Sequence, residues 1–278
     1  MRSFLAVLVL TPAALCAQAR PNGPLQQATQ LDLDGQTVQA RALIQSVIDT
    51  STAPAGRAAA QRALAMSYAF DGDCANTVRM EEQVIAYWKT REEAEPQNAF
   101  YQQGEMANEA ARVCIDAGQL DIAERYYRLG TRLGLAEPMP KTHTTSLWDF
   151  RLAHALARLA ARRGDKQLAA QEVAKARRAL DSDSTMRVAQ ERFYPYLTGY
   201  VALYTNDLVT AEADFTRALG YPQNQNDPFM NTLLAMTYER EGHAEKAKAL
   251  YQKAYNLATA HNPPSAYVRP LARKKLGL

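Results

Sequence analysis

Histidine and cysteine are scarce in this chain, and so are the motifs in which they do chemistry. The four histidines, His143, His154, His243 and His261, lie far apart, and none has a partner at metal-ligand spacing, so no metal centre is expected. There is no Gly-rich phosphate loop and no G-x-S-x-G, which removes the nucleotide-binding and serine-hydrolase readings those loops support. Glu81-Glu82 and Glu92-Glu93 are adjacent carboxylates, but on amphipathic helices such pairs read as solvated faces. Strand-type alternation and β-branched runs are also missing, which argues against a sheet. Beyond the N-terminus no stretch approaches the ~18 uninterrupted apolar residues that a membrane span needs. The net charge is +3, and +2 without residues 1–19, whose one charged residue is Arg2. A nucleic-acid binder advertises a strongly basic face, and this balance does not.

What is present begins with an export signal. Arg2 is the positive start, Phe4 to Leu10 the apolar segment, and Ala17-Gln18-Ala19 a small-x-small cleavage site, so residues 1–19 read as a secretory signal peptide cut after Ala19. A lipid anchor on Cys16 is disfavoured, because Leu15 is bulky where such sites carry a small residue. The expected location of the mature chain is periplasmic or extracellular. Residues 20–35 form an extension with a short first helix.

From there the sequence is helical and periodic. Between Pro228 and Thr259, Leu234, Ala235 and Tyr238 share one face of a helix, Gly242 makes a turn, and Ala247, Tyr251 and Ala254 share one face of a second. The same offsets recur around Gly35, Gly72, Gly118, Gly164 and Asn206. Seven residues before the turns stand Ala28, Ala65, Ala111, Ala157, Gly199 and Ala235; five after stand Ala40, Thr77, Ala123, Ala169, Ala211 and Ala247. Nine after, Ile44, Tyr127, Val173, Phe215 and Tyr251 are bulky and apolar, and only Glu81 breaks the row. A minimal side chain where two helices cross, a bulky one beside it and a turn glycine between them resembles the tetratricopeptide repeat. The repeats are degenerate: no unit has the family's early tryptophan, and turn-to-turn spacings of 37, 46, 46, 42 and 36 exceed the usual period of about 34. An excess of 12 is close to three helical turns, so lengthened helices could still meet at their crossing faces.

The resemblance implies an all-α, right-handed superhelical solenoid of antiparallel helix hairpins over residues 36–260, with 261–278 as a capping helix. Single helices are expected over 74–94 and 186–204, among others. In the cap, Tyr267, Val268, Leu271 and Leu276 face the stack while Arg269, Arg273, Lys274 and Lys275 cover the other side, either as a solubilising face or as a patch that recruits a partner. The Pro-containing connection from Leu135 to Ser146 is either idle or a contact site. Adjacent helices in such a stack run antiparallel, which makes neighbours of Cys74 and Cys114. They are either a disulfide joining two units or two packed free thiols.

In the family, first helices line a concave groove that grips peptides of partner proteins. Steps of thirteen, ten, six and two residues back from each turn give the groove-facing positions: Glu105, Asn108, Arg112 and Asp116, then Arg151, His154, Arg158 and Arg162, then Phe193, Tyr196, Tyr200 and Tyr204. A basic ladder adjoins an aromatic one, which suits a peptide bearing a carboxylate and an apolar side chain. The expected site is therefore Asn108, Arg112, Arg151, His154, Arg158, Arg162, Tyr196, Tyr200 and Tyr204. The expected function is an exported scaffold for a protein or peptide partner, without catalysis, cofactor, metal or nucleic acid. A self-associating cell-envelope module and an enzyme with a site between repeats are the alternatives.

Overall fold

Proline opens many of the helices and a left-handed residue closes each hairpin turn. The structure is a computed structural model and describes residues 23–278, so residues 1–19, expected to be a signal peptide, and Cys16 lie outside the described residues. Within them are fourteen α-helices and no strand. Six hairpins follow one another: α1 (Pro24–Leu33) with α2 (Thr37–Thr50), α3 (Pro54–Phe70) with α4 (Cys74–Lys89), α5 (Pro96–Asp116) with α6 (Leu120–Leu135), α7 (Thr145–Arg162) with α8 (Lys166–Ser182), α10 (Tyr194–Tyr204) with α11 (Leu208–Leu219), and α12 (Pro228–Arg240) with α13 (Ala244–Leu257). The short α9 (Ser184–Gln190) precedes α10, and α14 (Pro263–Leu276) ends the chain.

Local chemistry explains these boundaries. A proline in the first turn loses no intrahelical hydrogen bond, and Pro24, Pro54, Pro96, Pro195, Pro228 and Pro263 all sit there. The turn residues Gly35, Gly72, Gly118, Gly164, Asn206 and Gly242 all have φ between 68° and 81°, the conformation that glycine and, next best, asparagine adopt at low cost. In three hairpins the next residue is an aspartate, and Asp73, Asp165 and Asp207 each accept the N–H three residues on, capping the second helix. The single helix expected over 186–204 is instead broken by a 3-10 turn at Glu191–Phe193. Pro195 would clash inside a continuous helix, so the chain restarts one with the proline at its beginning. Likewise α4 stops at Lys89, short of the expected 94, and a turn leads to Pro96.

The small-residue rows lie at the helix crossings. Ala28, Ala65, Ala111, Ala157 and Ala235 are wholly buried, and a Cβ on Gly199 would sit 2.9 Å from the Phe215 ring. The second row, from Ala40 to Ala247, is buried throughout. The tightest joint is around Trp148, which is wholly buried. It fits because α6 offers no side chain at Gly134, where a Cβ would lie 2.1 Å from the indole. Each hairpin packs on the next, giving the consecutive pairing of a helical repeat.

Three features depart from the simplest reading. Glu81 is not on a solvated face but fully buried in the row that is otherwise bulky and apolar. The connection after α6 folds around Glu137, whose carboxylate accepts from the N–H and hydroxyl of Thr142 and the N–H of His143, and pairs with the His143 ring. Burial works against that charge, but the Thr142 and His143 donors outweigh it and hold Glu137 below the ordinary carboxylate range.

The third departure is α14. It packs on α12 and α13, as a cap would, but also on α1, α3 and α5 at the other end of the stack. Arg269 donates to Leu33 O at 2.6 and 2.9 Å and Arg273 to Asp34 O at 2.5 Å, at the C-terminus of α1 where the helix dipole favours cations. His261 Nε2 lies 2.8 Å from Asp32 Oδ2 and its ring stacks on Phe70. Two of the four basic residues assigned to an outer face are thus spent on joining the two ends of the chain.

Candidate functional site

The first helices α5, α7, α10 and α12, together with the start of α14, enclose a cavity of about 390 Å³. That is within the size range of small-ligand sites. Six of the nine residues expected from the sequence line it: Asn108, Arg112, Arg151, His154, Arg158 and Tyr196. The other three, Arg162, Tyr200 and Tyr204, do not. They stand behind the cavity wall, with Arg162 Nη1 3.4 Å from both the Tyr200 and Tyr204 hydroxyls and its guanidinium 4.8 Å from the centre of the Tyr204 ring.

The basic and aromatic ladders interlock rather than stand side by side. Arg158 is buried and donates to the hydroxyls of Tyr196 and Tyr127, both at 3.1 Å. Arg151 pairs with Glu105 at 2.6 Å and lies over Trp148 and Tyr101. Arg192 donates to Asn224 at 3.0 Å and lies over Phe193. Arg112 is different: among the described residues it makes no hydrogen bond and no ion pair, and it lines the cavity. One helical turn on, Asp116 is likewise without a hydrogen bond or ion pair among the described residues, although it faces the same space.

Burial sets the electrostatics. It raises the Asp116 carboxyl to about 7, against the pull of Arg158, Arg162 and Arg112. Asp116 is half-buried and lines the cavity. Asp227 is also raised by burial, offset by the Met230 and Phe229 N–H groups at the start of α12. His154 is held well below its usual value by burial and then by Arg158 and Arg112, so its imidazole is neutral. The Phe193 carbonyl acts in the opposite direction, and Nε2 has no partner.

Sequence reasoning passed over several wall residues. Phe150, Phe229 and Met230 give the cavity an apolar side, and Asp227, Arg192 and Pro263-Pro264 close its rim. Arg192 belongs to the 3-10 turn and the prolines to α14, neither of which follows the repeat offsets. Asp227 had a local signal, since an aspartate directly before Pro228 is a helix cap in waiting.

Cys74 and Cys114 are disulfide-bonded, joining α4 to α5 with 4.8 Å between Cα atoms. No cluster of three metal-ligating side chains occurs among the described residues, and none of their helices is long and apolar enough to cross a membrane. No protein family and no characterised protein matches this sequence.

Proposed function

We propose that the protein is an exported, tetratricopeptide-like scaffold, coiled in the right-handed sense of that family, which binds a short peptide segment of a partner in the cavity on its concave side. The reading rests on the unpaired Arg112 guanidinium inside an aromatic-walled space. Arg112 is half-buried and without a partner, and a ligand carboxylate would supply the missing bond in two-pronged geometry. Phe150, Phe229 and Met230 provide the surface for an apolar side chain. Because α14 crosses the first helices, the open part of the groove takes a few residues rather than a long helix.

The test is fluorescence anisotropy with a library of labelled three- to five-residue peptides that varies terminal charge and side-chain polarity. Peptides combining a carboxylate with an apolar side chain are expected to bind. A charged hydrogen bond contributes about 1.5–3 kcal/mol, so Arg112→Gln should weaken them roughly ten- to a hundredfold. Equal binding by the variant, or no binding by any peptide, removes the proposal.

A further inference from the structure

Two side chains of the cavity that lack partners, Arg112 and Asp116, carry opposite charges. Arg112 and Asp116 are four residues apart on α5, so they share one face of that helix with their Cβ atoms about 5–6 Å apart. They are neighbours, yet the guanidinium and carboxylate do not pair. The remaining charged groups of the wall are committed elsewhere: Arg151 to Glu105, Arg158 to two tyrosines, Arg192 to Asn224, and Asp227 to the Met230 N–H. A cation and an anion left free on one wall complement a ligand that carries both charges. Extended chain covers at most about 3.3–3.6 Å per residue, so one or two residues bridge that spacing between their own termini.

We infer that the cavity binds a short free peptide of the dipeptide class as a zwitterion, with its carboxylate on Arg112, its ammonium on Asp116 and an apolar side chain against Phe150, Phe229 and Met230. This deepens the scaffold reading and rests on it, but it changes what the occupant is. A partner protein's C-terminal tail would engage Arg112 alone, whereas a free peptide engages both charges.

Asp116 supplies a signature of its own. It is faced by Arg112 from its own helix, by Arg158 and Arg162 from α7, by Tyr196, Tyr200 and Tyr204 from α10, and by Tyr267 from α14. The tyrosines are neutral at pH 7, so the protonation change on binding falls on the aspartate. With its carboxyl at about 7, Asp116 is partly protonated at neutral pH. An ammonium placed beside it favours the carboxylate, and the proton leaves for the buffer.

The experiment is titration calorimetry of the mature chain with the free dipeptides of alanine, leucine and phenylalanine, their N-acetylated and C-amidated forms, and N-acetylated pentapeptides. Two buffers of different ionisation enthalpy count protons. Free dipeptides are expected to bind at least tenfold more tightly than either blocked form and to release protons to the buffer at pH 7. In Asp116→Asn, whose fold is checked by circular dichroism, both the release and the discrimination against N-acetylation should vanish. N-acetylated pentapeptides binding as tightly as free dipeptides would overturn the ammonium subsite and leave the scaffold intact. Failure of every peptide, free or blocked, would overturn both.

Discussion

Replacing Glu81 with methionine should stabilise this protein, and should do so more at pH 8 than at pH 5. Glu81 stands in α4 at the place where other hairpins carry Ile44, Tyr127, Phe215 and Tyr251. It is fully buried, and neither carboxyl oxygen has a partner while ionised. The nearby Arg62 is committed to Glu109, at 2.5 and 3.0 Å. Burial first, then the Glu109 charge, push the Glu81 carboxyl well above its usual value, with Arg62 only partly offsetting them, so folding favours its protonated form. In the unfolded chain the same group ionises above about pH 4.5. The folded state therefore holds a proton that the unfolded state releases. The stability this contributes is complete below pH 4.5 and is lost as pH climbs toward the folded value, at about 1.4 kcal/mol per pH unit while the difference lasts. A buried polar group with imperfect partners costs about 1–3 kcal/mol, and for a chain of this size each kcal/mol is about 2–4 °C of Tm. Glu81→Met should thus raise Tm by roughly 2–12 °C at pH 7 and flatten its decline between pH 5 and 8. Glu81→Gln should flatten the decline as well. Scanning calorimetry at four pH values decides it; a methionine variant that melts lower at pH 7, or keeps the parental slope, refutes the reasoning.

Two further outcomes concern the joints of the fold. The bridge between Cys74 and Cys114 closes 40 residues, which corresponds to about 3–4 kcal/mol of restricted unfolded chain, so reduction or Cys114→Ser should lower the unfolding free energy by that amount. Intact mass of the purified mature chain with and without reductant should show two hydrogens gained; alkylation of the unreduced protein would contradict it. His261→Ala removes the ring between Asp32 and Phe70 and strands a buried carboxylate that otherwise keeps only the Ser67 hydroxyl. It should cost about 1.5–3 kcal/mol and make α14 the first segment cut in limited proteolysis; an unchanged cleavage order would count against the clasp.

The hairpins were legible because each is specified within about 40 residues by local chemistry. A left-handed turn demands Gly or Asn, a crossing demands a small side chain, and both leave a mark at fixed offsets, as at Gly118 with Ala111 and Ala123. The helix breaks were legible in principle, since Pro195 forbids the continuous helix that periodicity alone suggests. The same offsets put Arg112, Arg151 and Tyr196 on the lining of one cavity but leave Arg162, Tyr200 and Tyr204 off it. What the offsets do not encode is which polar groups pair with which. Arg158 and Arg162 read as a basic ladder facing a ligand, and only the adjacent helix shows that tyrosine hydroxyls take up their donors. Nor does any repeat signal announce that residues 261–276 return to the first hairpin, because that contact joins positions about 236 apart through backbone carbonyls, which have no sequence identity.

That return alters how the stack should behave as a whole. In an open array each repeat touches only its neighbours, stability is a sum of units and interfaces, and the ends fray first. Here α14 lies on the first three hairpins and the last one at once, so opening either end breaks contacts at both. Fraying of α1 must release Arg269 and Arg273 from its terminal carbonyls, and fraying of α14 must expose Phe70 and Val113 of α3 and α5, which pack with Ala266 in one buried cluster. The first helices that would otherwise offer an uninterrupted groove are divided by the same element, leaving the Arg112 cavity on one side and a smaller space beside Phe70 on the other, with Asp116 lining both. One terminal helix therefore makes the fold more cooperative and, by the same contacts, divides the space along the first helices into two small cavities.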